Sequence, residues 1–198
     1  MKNLIAIILL TIILFSCSRI VGRMLGVNPK VESANEQLNY LNKIEIDTAY
    51  NYNFNSAMED SISAVKYNLD TFQKAGYSPI QFRMYNNEGD FIGGWASCYG
   101  SLKRLQALDS FPLKFNSVKH LPLNYNLTFQ QDLNLIDSKS TLSSENIKNY
   151  DVIIIAFWAE SMGKFSNDMM VNLNNYVKRN SEKEILFIKV NYSNIFKE

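Results

Sequence analysis

Two thiols and one imidazole are the residues of this 198-residue chain best suited to nucleophilic or metal chemistry: Cys17, Cys98 and His120. A thiolate is a nucleophile, and its reactivity depends on a depressed pKa and on access. Cys17 and Cys98 stand in unrelated contexts, and no pairing between them is expected. A single histidine rules out a His-rich metal centre and argues against zinc. His120 sits in the loop-like run Val118-Lys119-His120-Leu121-Pro122, with no nucleophile elbow to accompany it. Asp47, Asp60 and Asp70 lack calcium-loop spacing. There is no phosphate-binding glycine motif. No cofactor and no metal are expected. Lysine plus arginine total 20 against 19 acidic residues, and Lys2 is the only charge in the first sixteen. The rest of the chain is thus neutral, which gives no electrostatic case for nucleic acid.

Cys17 closes a distinctive start. Met1-Lys2-Asn3 is a short basic opening, and residues 4–15 are apolar except for Thr11. About twelve residues of helix span roughly 18 Å, short of a bilayer core of about 30 Å. This is the length of a secretory hydrophobic region. Its end, Leu14-Phe15-Ser16-Cys17, resembles a bacterial lipobox, with Phe15 departing from the usual small or aliphatic residue. The resemblance implies a signal peptide over 1–16 and a diacylglycerol on Cys17, and a lipidated tether over 17–32 is then expected. The other reading of the same residues is an uncleaved anchor with an incidental cysteine. Either puts the remainder outside the cytoplasm and at a membrane. Ser18, rather than aspartate, follows the cysteine. By resemblance to enteric lipoprotein sorting, this favours the outer membrane, facing the periplasm.

The elements that would position Cys98 come next. Ser33 followed by Glu36 has the spacing of a capping box and predicts a short helix within 31–44. Tyr50, Tyr52 and Phe54 alternate with asparagines and predict a strand. Residues 56–74 follow helical spacing through Ile62, Val65, Leu69 and Phe72. Ile80, Phe82 and Met84 alternate with Gln81 and Arg83. Residues 86–89 have hairpin chemistry. Residues 91–98 return as a strand in which Gly93-Gly94 marks a bulge or a close approach. Leu102, Leu105 and Leu108 then predict a helix. Residues 110–150 read largely as loop, with an added strand within 125–136 and a short helix within 141–150 capped by Ser143 or Ser144.

The most apolar stretch follows Tyr150. Ile153, Ile154, Ile155 and Phe157 predict a strand covered on both faces. A tight turn and a helix over 167–179 come after it, and then a strand over 185–191.

Phe157-Trp158-Ala159-Glu160, followed by a glycine-containing turn, resembles the redox turn of thioredoxins. Lys189-Val190-Asn191 resembles the end of the next strand in that family. The family's two cysteine positions fall on Met162 and Phe165, and its proline position on Lys164. Ser78-Pro79 would occupy the cis-proline position that opens the hairpin. The resemblance implies a thioredoxin-like three-layer α/β/α sandwich with a mixed central sheet over 33–198. Its hairpin half precedes its redox-turn half, as a circular permutation would give. An unpermuted domain starting near Tyr50, with 110–198 as an extension, is the alternative. The resemblance also implies a groove formed by Pro79, Cys98, Trp158, Met162 and Phe165. Two functions remain open: a redox-inactive module holding an extended peptide, or a single-cysteine thiol-disulfide oxidoreductase acting through Cys98.

Overall fold

The computed structural model describes residues 27–28, 30–55, 80–96, 128–137, 142 and 146–196. The expectations for residues 1–26, the helices over 56–74 and 101–108, Pro79, Cys98, His120 and the Ser143 or Ser144 cap lie outside these residues.

The fold is α/β, built on one mixed, open sheet. Its strands are β1 (Asn51–Phe54), β2 (Gln81–Tyr85), β3 (Phe91–Ala96), β4 (Ile136–Asp137), β5 (Val152–Trp158) and β6 (Ile185–Asn191). Their spatial order is β3-β2-β5-β6-β1-β4. β5, β6 and β1 run parallel, whereas β2 is antiparallel to β5, β3 to β2, and β4 to β1. The strands after residue 110 therefore include the two central ones. All seven residues of β5 are buried, as a strand covered on both faces requires.

The pleat divides those residues between two cores. Val152, Ile154, Ala156 and Trp158 face α1 (Ala34–Lys43) and α3 (Gly163–Arg179), against Tyr40, Leu41, Met169, Met170, Leu173 and Tyr176. Ile153, Ile155 and Phe157 face the other way. There they meet Phe129 of α2 (Phe129–Leu133), Ile147 of the 3-10 helix Asn146–Asn149, and Tyr192. Met169, Met170 and Leu173 recur at helical spacing, and burying each is worth about 2 kcal/mol.

Helix α1 starts where Ser33 and Glu36 cap each other reciprocally, as the spacing predicted. It stops in a Schellman arrangement. Glu45 N–H donates to Asn42 O at 3.1 Å and Ile46 N–H to Leu41 O at 2.9 Å. Glu45 thereby sits at φ 57°, where glycine is the favoured residue. Glu45→Gly is expected to raise stability by about 0.5–1 kcal/mol in urea unfolding, because relief of the left-handed conformation outweighs the added freedom of the unfolded chain.

The hairpin between β2 and β3 is set by Asn86, whose Oδ1 accepts from Glu88 N–H at 3.1 Å and Asp90 N–H at 2.8 Å. Gly89, at φ 85°, turns the chain, and its carbonyl accepts from Phe129 N–H at 3.0 Å. The ladder slips between Met84 and Tyr85, which pair with Gly93 and Phe91. The extra residue is thus Ile92, beside the glycine pair rather than within it.

Two boundaries differ from the sequence reading. Of the stretch read as a strand within 125–136, the described residues from Thr128 on are mainly helix α2, because Thr128 and Gln131 form a second capping box; among them the strand β4 is confined to Ile136–Asp137. Helix α3 begins at Gly163, not at residue 167. Gly163 takes φ 59° and ψ −136°, so the 3-10 turn Glu160–Met162 reverses within three residues and leads straight into the helix.

Candidate functional site

The turn between β5 and α3 holds three of the predicted groove residues. Trp158, the last residue of β5, is fully buried, and its ring stacks on Tyr40 with centroids 5.2 Å apart. Burial pushes the Tyr40 hydroxyl well above the ordinary phenol range, so it stays neutral. Met162 closes the 3-10 turn and Phe165 lies in the first turn of α3; both are half-buried against the core that contains Trp158. The β2 strand starts alongside, with Gln81 opposite Phe157. This brings Ile80, the neighbour of Pro79 in sequence, to the turn end of the sheet. Tyr192 N–H, just past β6, donates to Trp158 O at 2.7 Å and closes the same end. Pro79, Cys98 and the lipidation candidate Cys17 lie outside the described residues.

Sequence reasoning missed the polar cluster at this end. Glu32, at the boundary of the segment expected to be a tether, is only 4% exposed. Its Oε1 accepts from the Ser161 backbone N–H at 2.7 Å and its Oε2 from Asn191 Nδ2 at 2.8 Å. Its own N–H donates to Ser193 Oγ at 3.0 Å. Asn28 N–H donates to Ser161 O at 2.6 Å. The residues preceding α1 are therefore fastened across the turn as a strap. Nothing in Val31-Glu32-Ser33 distinguishes such a carboxylate from an acid that merely complements a helix N-terminus. Asn191 belongs to the Lys-Val-Asn run already singled out as a strand end, but its burial was not legible there.

A second buried polar group lies on the opposite face. Arg83 is ion-paired with Asp132 and hydrogen-bonded to Gln81 Oε1 at 3.2 and 3.3 Å, and its guanidinium lies 5.3 Å from the Phe157 ring centroid. The Tyr85 hydroxyl donates to Asp132 Oδ2 at 2.5 Å. Burial pushes Asp132 above the ordinary carboxylate range, while Arg83 and the Tyr85 hydroxyl pull against it. Tyr85 is pushed up, first by burial and then by the neighbouring carboxylate, so its hydroxyl remains a donor. These groups satisfy one another and tie α2 to the sheet.

Lys189 in β6 is a buried amine at 2% exposure. Its Nζ donates to Asp47 O at 3.0 Å and lies 5.1 Å from the Phe187 ring centroid. Burial lowers its pKa to about 8.

Among the described residues there is no cysteine and no histidine. No three His, Cys, Asp or Glu side chains gather there as a metal site would need. No helix among them is long and apolar enough to cross a membrane. No protein-family model, no curated protein and no solved structure matches the chain. What fold and site define is an α/β domain on a mixed open sheet, with a turn at one sheet end closed by a strap of its own chain.

Proposed function

We propose that the chain is a lipid-anchored lipoprotein of the cell envelope, held at the outer membrane through Cys17 and facing the periplasm. Its domain is a redox-inactive thioredoxin-like module with a three-layer, circularly permuted core, and it works by binding an extended peptide or protein. The permuted reading is supported by the sheet: an antiparallel hairpin precedes a parallel strand–helix–strand unit in sequence and lies directly beside it in space.

One observation carries the functional reading. The turn that would hold a dithiol presents Met162 and Phe165, both leaning on the core. Thiol exchange needs a thiolate at a helix N-terminus and a second thiol to resolve the mixed disulfide. Neither side chain can supply one. Backbone pairing at such a sheet end needs no cysteine.

The test restores the missing chemistry. In a Cys17→Ser, Cys98→Ala background, Met162→Cys with Phe165→Cys is expected to form a reversible disulfide across one helical turn and to catalyse disulfide exchange. The unmodified chain is expected to show no exchange activity. If the double variant stays reduced under mild oxidation, the turn does not have the geometry of a redox turn and the reading fails.

A further inference from the structure

The strap is held less by apolar contact than by one carboxylate. Val31 is 44% exposed, and the Lys30–Glu36 ion pair, at 2.7 Å, lies at the surface. Exposed pairs of this kind contribute little. Glu32, by contrast, is buried and meets donors from two separate elements, the turn after β5 and the end of β6.

Those donors are oriented by bonds other than the ones they make to the Glu32 carboxylate. Asn191 Oδ1 accepts from both Ser193 N–H at 3.0 Å and Ser193 Oγ at 2.6 Å. This fixes the amide so that its NH2 side faces the carboxylate. The Ser161 N–H is held by the 3-10 turn. Two further buried donors at the same turn, Ser161 Oγ and Trp158 Nε1, have no partner among the described residues. A buried donor left unsatisfied costs about 1–3 kcal/mol, so a ligand that reached either of these would gain by pairing it. The strap also engages both backbone groups of Ser161, its carbonyl through the Asn28 N–H and its N–H through the Glu32 side-chain carboxylate, so one main-chain bond and one carboxylate hold it.

We infer that this turn is a carboxylate-binding site for an extended peptide that carries one glutamate or aspartate side chain, and that Glu32 is the occupant supplied by the chain itself. The inference rests on reading the turn as the binding end of the sheet, and it adds the ligand class and the means of control. Glu32 lies just before α1, whose Tyr40 stacks on Trp158 at the turn, so it acts on the site at an effective concentration on the order of millimolar. A peptide in solution must therefore outcompete the strap, and anything that draws residues 27–32 away opens the site.

The test is amide exchange at Ser161, followed by NMR on the full chain in detergent micelles. In Glu32→Ala, Ser161 N–H is expected to exchange at least about tenfold faster, the loss of one charge-assisted hydrogen bond, while Ile154 in β5 stays protected. A peptide of residues 26–33 should restore protection, and the same peptide carrying Glu32→Ala should not. Acetate should restore it only at much higher concentration. Acetate as potent as the peptide would overturn the peptide as ligand in favour of a small carboxylate. Protection by neither would overturn the site. If Glu32→Ala also loses Ile154 protection, Glu32→Gln replaces it. That variant keeps an acceptor for Ser161 but turns a donor towards Asn191. It is expected to leave Ile154 protected and to speed Ser161 exchange, with the same rescue by peptide; unchanged Ser161 exchange overturns the inference. Failure here leaves the cysteine-pair experiment above unaffected, so the two readings fail separately.

Discussion

Asp132→Ala is expected to destabilise the domain by about 3–5 kcal/mol, because it leaves the buried Arg83 guanidinium without its carboxylate. The cost lies in the charge left behind rather than in the worth of the pair. Two comparisons separate these. Tyr85→Phe removes only the hydroxyl that donates to Asp132 and is expected to cost about 1–2 kcal/mol. Replacing Arg83, Asp132 and Tyr85 together by Met, Leu and Phe removes charge and partners at once, and is expected to recover most of the loss seen in Asp132→Ala. Urea unfolding of the three variants checks this. A triple variant less stable than Asp132→Ala would mean that the network contributes through its own geometry, in tying α2 to the sheet.

Lys189 supplies the second large effect, and it appears as a pH dependence. The unfolded amine keeps its proton up to about pH 10.5, whereas the buried one releases it near 8. Between these values the unfolded chain binds more protons, so stability rises with pH. Below pH 8 both forms are protonated, and the penalty for burying the charge, about 3 kcal/mol, is present in full. Above about pH 10 the trend reverses. Tyr40, Tyr85 and Tyr176 are held neutral by burial, Tyr176 up to about 12, so the unfolded chain then loses protons that the folded one keeps. Maximum stability is therefore expected near pH 9–10 rather than at neutrality. Lys189→Met should flatten the rise and stabilise the domain at pH 7. A wild-type unfolding curve that is level between pH 7 and 9.5 would contradict this account of Lys189.

Much of the fold was legible because it rests on local signals. The run from Val152 to Trp158 has the composition of a central strand and is one. Ser33 and Glu36 cap a helix at the expected place. Asn86 and Gly89 turn the hairpin. Where the sequence misled, a competing local device won. Thr128 and Gln131 outweighed the Leu and Phe content that suggested a strand, and Gly163 advanced the start of α3 by four residues. The polar clusters were not legible for a different reason. Glu32 meets Asn191 and Ser161 across more than a hundred residues of chain, and no periodicity encodes such a meeting. Asp132 fell in a stretch read as a strand and was not singled out, because only the folded sheet brings Arg83 and Tyr85 to it. Lys189 stood in a run noticed for its resemblance to thioredoxins, yet its burial depends on the loop after α1, which carries Asp47.

The account depends most on the absence of thiol chemistry, and Cys98 decides that directly. The measurement is alkylation of the Cys17→Ser chain, whose one thiol is Cys98, from pH 5 to 9, native against unfolded. The expected result is reaction only after unfolding, as for an inert thiol that packs like a small apolar side chain. Rapid alkylation of the native chain at a pH well below 8.5 would contradict it. Cys98 would then be an accessible thiolate, and the chain a single-cysteine oxidoreductase rather than a binding module.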